Sequence, residues 1–90
     1  MAVTHNIVSI GTTATTISSA VSDREGHSVL VQNPSSSVTV YIGGDGVTTS
    51  SYGVALAGGS DISIDLQQGE ILYGVVASST QAVNVLRAGN

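Results

Sequence analysis

Asp61-Ile62-Ser63-Ile64-Asp65-Leu66 alternates polar and aliphatic residues without a break. In an extended chain every second side chain shares a face, so this stretch reads as a strand with Ile62, Ile64 and Leu66 toward a core. Working outward, Gln67-Gln68-Gly69 is a turn. Glu70 to Ala77 is a further strand, with Ile71, Tyr73 and Val75 on one face and Leu72 and Val76 on the other. Ser78-Ser79-Thr80 turns the chain into Ala82 to Arg87, with Val83 and Val85 on one side and Leu86 on the other. Upstream, Val38, Val40 and Ile42 alternate with Thr39 and Tyr41 until Gly43-Gly44-Asp45-Gly46 ends the strand. His27 to Asn33 has a nearly continuous apolar centre, Val29-Leu30-Val31, which predicts burial on both faces. Asn33-Pro34-Ser35-Ser36 is a turn, with proline fixing φ and asparagine as its cap. Val47 to Gly59 reads as a long loop whose Tyr52, Val54 and Leu56 pack in part on the core.

Composition agrees with the strand reading. Valine, isoleucine and threonine make up 29 of 90 residues, and these β-branched side chains suit a pleated, half-buried surface. Lysine is absent, glutamate occurs twice, and no segment sustains a 3.6-residue apolar period. The expected fold is all-β: a compact antiparallel β-sandwich or small barrel, jelly-roll-like, with an extended N-terminal arm. An immunoglobulin-like sandwich fits the strand spacing, but an immunoglobulin domain proper carries a tryptophan and a cysteine pair, and the chain has neither. Val3 to Ile10 and Ala14 to Val21 are extended but alternate weakly, and the charged run Ser22-Asp23-Arg24-Glu25-Gly26 reads as a solvated turn. Residues 1–25 therefore form either an arm or two edge strands, and residues 26–90 a sandwich core domain.

Charge narrows the partners. The formal net charge is -4, only 9% of residues are charged, and Arg24 and Arg87 are the strong cations. Nucleic-acid binding needs clustered Lys and Arg to displace counterions, and an anionic membrane surface needs the same, so neither is expected as a partner. There is no apolar run of the roughly 18 residues a membrane helix requires, and no basic segment precedes an apolar one at Met1-Ala2-Val3-Thr4-His5-Asn6 as in a signal peptide. Without cysteine there is no disulfide, thiol nucleophile or thiolate metal site. A domain of this size with no covalent staple is marginal, which points to oligomerisation or docking on a larger body. Eight charged side chains also leave little to blunt exposed sheet edges.

Candidate chemistry is sparse. Gly43-Gly44-Asp45-Gly46 lacks the Gly-Lys-Ser/Thr of a phosphate loop and the oxygen ligands of a calcium loop, so it reads as a turn. Asp45, Asp61, Asp65 and Glu70 are either strand-end ligands for a cation or solvated outward residues. His5 and His27 read as surface or turn histidines, and no Gly-x-Ser-x-Gly elbow supports a serine nucleophile. Asp61 and Asp65, about 13 Å apart along one strand, are too far apart for a glycosidase pair. No catalytic residue, metal or cofactor is expected. Tyrosine is the one aromatic type present, at Tyr41, Tyr52 and Tyr73. Tyr41 falls on the outward phase of its strand, as a partner-contact anchor or as one half of a cross-strand pair.

Four stretches carry a resemblance: Ser28-Val29-Leu30-Val31-Gln32-Asn33-Pro34, Val38-Thr39-Val40-Tyr41-Ile42-Gly43-Gly44, Gly46-Val47-Thr48-Thr49-Ser50, and Gly69-Glu70-Ile71-Leu72-Tyr73-Gly74-Val75-Val76-Ala77. Together, over residues 28–87, they resemble small structural β-domains of tailed bacteriophages, the capsid decoration (cement) proteins above all. The resemblance implies a homotrimer made in the bacterial host cytoplasm and seated on the outer capsid surface of the virion. Its partner there is the major capsid protein, met at three-fold or quasi-three-fold positions, where it holds the expanded shell against internal DNA pressure. A tail, fibre or receptor-binding adhesion domain is the alternative. The expected partner-binding residues are Val3, His5, Ile7, Val8, Ile10 and Ile17 of the arm, with Tyr41 and Tyr52 of the core.

Overall fold

The alternating segments become eight strands in a computed structural model that describes residues 2–19 and 26–89: β1 (Ala2–Ile10), β2 (Thr15–Ser19), β3 (His27–Gln32), β4 (Val40–Gly43), β5 (Val54–Leu56), β6 (Asp61–Leu66), β7 (Ile71–Val75) and β8 (Gln81–Gly89). They form two four-stranded sheets, ordered β1-β8-β3-β6 (sheet A) and β2-β7-β4-β5 (sheet B), and every neighbouring pair is antiparallel. The pairings β1·β8, β2·β7, β3·β6 and β4·β5 are nested. The chain is in effect one long hairpin, with β4 and β5 at its tip, wound into a sandwich. That is the jelly-roll arrangement.

The core lies between the sheets. Val29, Val31, Val83, Val85 and Leu66 of sheet A meet Ile17, Val40, Ile42, Leu56 and Leu72 of sheet B, with Ile10 and Val76 completing the cluster. In β2 a bulge between Thr16 and Ser18 turns two successive residues, Ile17 and Ser18, inward. Gly74 on β7 makes room for this, since a Cβ there would lie 2.8 Å from Ile17 Cδ1.

Several sequence expectations are corrected. Of the two readings left open for residues 1–25, edge strands hold for 2–10 and 15–19, and the extended arm does not; β1 pairs with β8 along its whole length. Ile10 and Ile17 lie in the common core, so the core does not begin at residue 26. The weak alternation hid this because Thr4 and Asn6 take the inward phase of β1. The turn read at Ser22 to Gly26 falls, apart from Gly26, outside the described residues. β3 is not buried on both faces: Val29 and Val31 are buried, but Leu30 is half-buried on the outer side. Residues 47–59 are not all loop, because Val54–Leu56 pairs with β4. The turn at Gln67 to Glu70, closed by Glu70 N–H donating to Gln67 O at 3.1 Å, carries the chain from sheet A to sheet B.

Asn33 fixes the junctions at the end of β3. It is fully buried, and its Nδ2 donates to Val38 O at 2.8 Å and Leu56 O at 2.9 Å. Its Oδ1 accepts from Ser35 N–H at 3.1 Å, forming the expected cap.

Candidate functional site

On the outer face of sheet A several aliphatic side chains are left uncovered. Register fixes its rows: His5, Leu86, Leu30 and Ser63 lie side by side across β1, β8, β3 and β6. Ile7, Asn84, Gln32 and Asp61 form the next row on one side, and Val3, Ala88, Ser28 and Asp65 the next on the other. Val3 is 68% exposed, Ile7 70% and Leu86 42%, high values for aliphatic side chains with sheet neighbours. A shallow groove of about 330 Å³ runs between His5, Ile7, Leu30, Gln32, Asn84 and Leu86. Two cross-strand hydrogen bonds lie on this face: Asn84 Nδ2 donates to Gln32 Oε1 at 3.0 Å in the groove, and Ser28 Oγ donates to Asp65 Oδ1 at 2.7 Å outside it.

The free edge of β1 borders this face. Its sequence, Ala-Val-Thr-His-Asn-Ile-Val-Ser-Ile, contains no Lys, Arg, Asp, Glu or Pro. Natural edge strands are normally protected from further pairing by such residues or by being short. A nine-residue edge without them is poised to accept another strand.

The expected contact residues divide. Val3, His5 and Ile7 lie together on the exposed outer face of sheet A. Val8 takes the opposite phase and packs half-buried against the core, and Ile10 and Ile17, 0% and 3% exposed, are core residues that no partner reaches. Tyr41 is half-buried because the β4–β5 loop folds back and sets Tyr52 against it, with ring centroids 4.8 Å apart and planes tilted by 53°. The two tyrosines therefore form an aromatic pair on the outside of sheet B, of which Tyr52 is the exposed member. Leu86 and Leu30 were not singled out from the sequence. Leu86 was legible as facing away from Val83 and Val85, but its place beside His5 depends on β8 pairing with β1.

A polar network closes the sandwich at the opposite surface of the same sheet. The Ser18 hydroxyl and His27 Nε2 share a buried hydrogen bond of 2.8 Å across the two sheets. Arg87 Nη2 donates to Asn6 Oδ1 at 2.8 Å, and its Nη1 makes a long contact of 3.5 Å with Ser18 Oγ. His27 is thus not a surface histidine; the small partner Ser18 lets the imidazole sit inside. A serine hydroxyl this close to an imidazole has the spacing of a nucleophile and its base. Here Ser18 is 3% and His27 8% exposed, so the pair is a buried tie between the sheets.

On the β5/β6 side the sheets part. An aliphatic slot of about 250 Å³ opens between Ile62 and Ile64 of sheet A and Val54 and Ile71 of sheet B, because three-residue β5 is too short to cover six-residue β6. Among the described residues, no three His, Asp or Glu side chains come together as a metal site would need.

No protein-family profile matches the chain, and no curated protein matches it in sequence. Among solved structures it is similar to a chain described under "Bacillus endospore appendages form a novel family of disulfide-linked pili". The TM-score is 0.54 at 14% identity, over 94% of this chain and 83% of that one. Identity that low speaks to fold alone: a small all-β sandwich. The present chain has no cysteine with which to form a disulfide link.

Proposed function

We propose that the chain is a structural subunit that works by docking into a larger protein assembly, and that its place is the outer surface of a tailed-phage capsid. One observation carries the docking reading: Val3, Ile7 and Leu86 stand exposed together beside a nine-residue sheet edge that has no charged or proline protection. The capsid assignment rests on the resemblance of residues 28–87 to decoration proteins. Many copies, each bridging adjacent coat subunits, add contact free energy to the expanded shell and raise the barrier to its rupture. A trimer matches the symmetry of a three-fold or quasi-three-fold seat. The edge of β1 supports such bridging by strand addition to a coat subunit, with main-chain hydrogen bonds supplying affinity and Val3 and Ile7 supplying fit.

The structural neighbour supports a second reading, a fibre or tail subunit, since the protein it comes from forms pili. Copy number separates the two. Quantitative gel analysis of purified virions is expected to show hundreds of copies per particle for a decoration protein and three to twelve for a tail component. Absence from purified virions overturns both.

A further inference from the structure

We infer that the outer face of sheet A is shaped for a foreign protein surface presenting an aliphatic ridge with lysine or arginine beside it. The inference rests on the docking reading above and specifies the chemistry of the partner.

The face is polarised across its strands. Val3 and Ile7 stand on β1, Leu86 and Leu30 in the middle, and Asp61 and Asp65 on β6. Three strand spacings of about 4.8 Å put the acidic strip about 14 Å from the aliphatic one. An interface of ordinary size covers both strips at once, with the aliphatic strip at its centre and the carboxylates at its rim. Rim charges of one sign select partners with the other.

Among the described residues, a second copy presents no outward lysine or arginine to supply that sign. Arg87, the arginine of the described residues, is turned between the sheets and held by Asn6 and Ser18. Symmetry makes the mismatch explicit. A two-fold axis parallel to the strands, at the middle of the sheet, lays Ile7 of each copy over Asp61 of the other and Val3 over Asp65. A two-fold axis across the strands lays β6 over β6 and sets carboxylates against carboxylates. Either arrangement sets carboxylates against aliphatic side chains or against each other, with no cation between them. Neither face-to-face pairing therefore suits a second copy.

The test compares wild type, Ile7→Ser and the double variant Asp61→Asn/Asp65→Asn. All three substitutions are at exposed positions, so folding is retained and is checked by the far-ultraviolet spectrum and the unfolding midpoint. Sedimentation of the three proteins is expected to give one oligomeric state; a change of state in either variant overturns the inference. Amide NMR spectra are then recorded with two probe peptides, acetylated and amidated Lys-Val-Lys-Val-Lys-Val and Glu-Val-Glu-Val-Glu-Val. The basic probe is expected to shift Ile7, Leu30, Leu86, Asp61 and Asp65 in the wild type and to bind the double variant about tenfold more weakly. Equal response to both probes, or to neither, overturns the inference. Phage shells stripped of the protein form the last arm. Wild type is expected to bind them with an affinity that falls as salt rises, and the double variant about tenfold more weakly with a flatter salt dependence. Unchanged shell binding by the double variant overturns the inference. Wild type failing to bind shells overturns the capsid assignment, while sedimentation and the probes still decide the partner's chemistry.

Discussion

The side-chain amide of Asn33 donates to the backbone carbonyl of Leu56 at 2.9 Å, fastening the end of β3 in one sheet to β5 in the other. The same nitrogen reaches Val38 O at 2.8 Å, so one side chain organises the entry to β4 and the return of the hairpin tip. Asn33→Ala leaves two carbonyls and the Ser35 N–H without their partner. The expected loss is at least about 2 kcal/mol of unfolding free energy, at about 1–3 for a buried group left unpaired and less for the two that are only part-buried. Asn33→Asp is expected to be worse, because a carboxylate then faces two carbonyl oxygens. Urea denaturation followed by circular dichroism measures both; a loss under about 1 kcal/mol for Asn33→Ala contradicts the assignment.

Ile7 and Ile10 sit three residues apart on β1 and face opposite ways. Ile10→Ala is expected to cost about 2–5 kcal/mol through the cavity it opens, whereas Ile7→Ser stays within about 0.5 kcal/mol of wild type. Equal losses would mean that β1 is not paired in the register described.

Gly26 adopts φ +75°, and a Cβ there would overlap the Leu66 carbonyl oxygen; Gly44 has open space at the same position. Gly26→Ala is expected to destabilise by at least about 3 kcal/mol or to prevent folding, because backbone cannot move aside as a flexible side chain does. Gly44→Ala is expected within about 0.5 kcal/mol of wild type. Thermal unfolding of the two variants side by side decides the point.

Ser18 and His27 join the sheets by a buried hydrogen bond. Ser18→Ala is expected to cost about 1–3 kcal/mol. A double-mutant cycle with His27→Phe is expected to give a coupling of about 0.5–3 kcal/mol, as for residues in direct contact. A coupling indistinguishable from zero would remove the sheet-to-sheet tie.

The sequence made some elements plain and concealed others, for physical reasons. The strand at Asp61–Leu66 was legible because one of its faces is wet and the other turned to the core, so polar and aliphatic residues must alternate. Asn33 was legible as a turn cap because its side chain acts on residues close in the chain. Its bond to Leu56 was not, because nothing in a local window announces a partner in the other sheet. The short strand Val54–Leu56 was hidden by flanking glycine and by a length too small to show a period. Leu30 was misplaced for a different reason: in a local window an aliphatic side chain on an outer face looks the same as one in a core. The outer aliphatic face proposed for docking, drawn from β1, β8, β3 and β6, exists only once strands distant in sequence are set side by side.

That same adjacency governs how the molecule comes into being. Ala2 lies opposite Gly89, so β1 has no mate until the ribosome has delivered β8. At synthesis rates of about 5–20 residues per second, the earliest strand waits roughly 4–16 s with its apolar residues unclaimed. Closure of the first sheet is thus a late event, and a product that stops short of β8 is left with β1 unpaired and its apolar residues open to other chains.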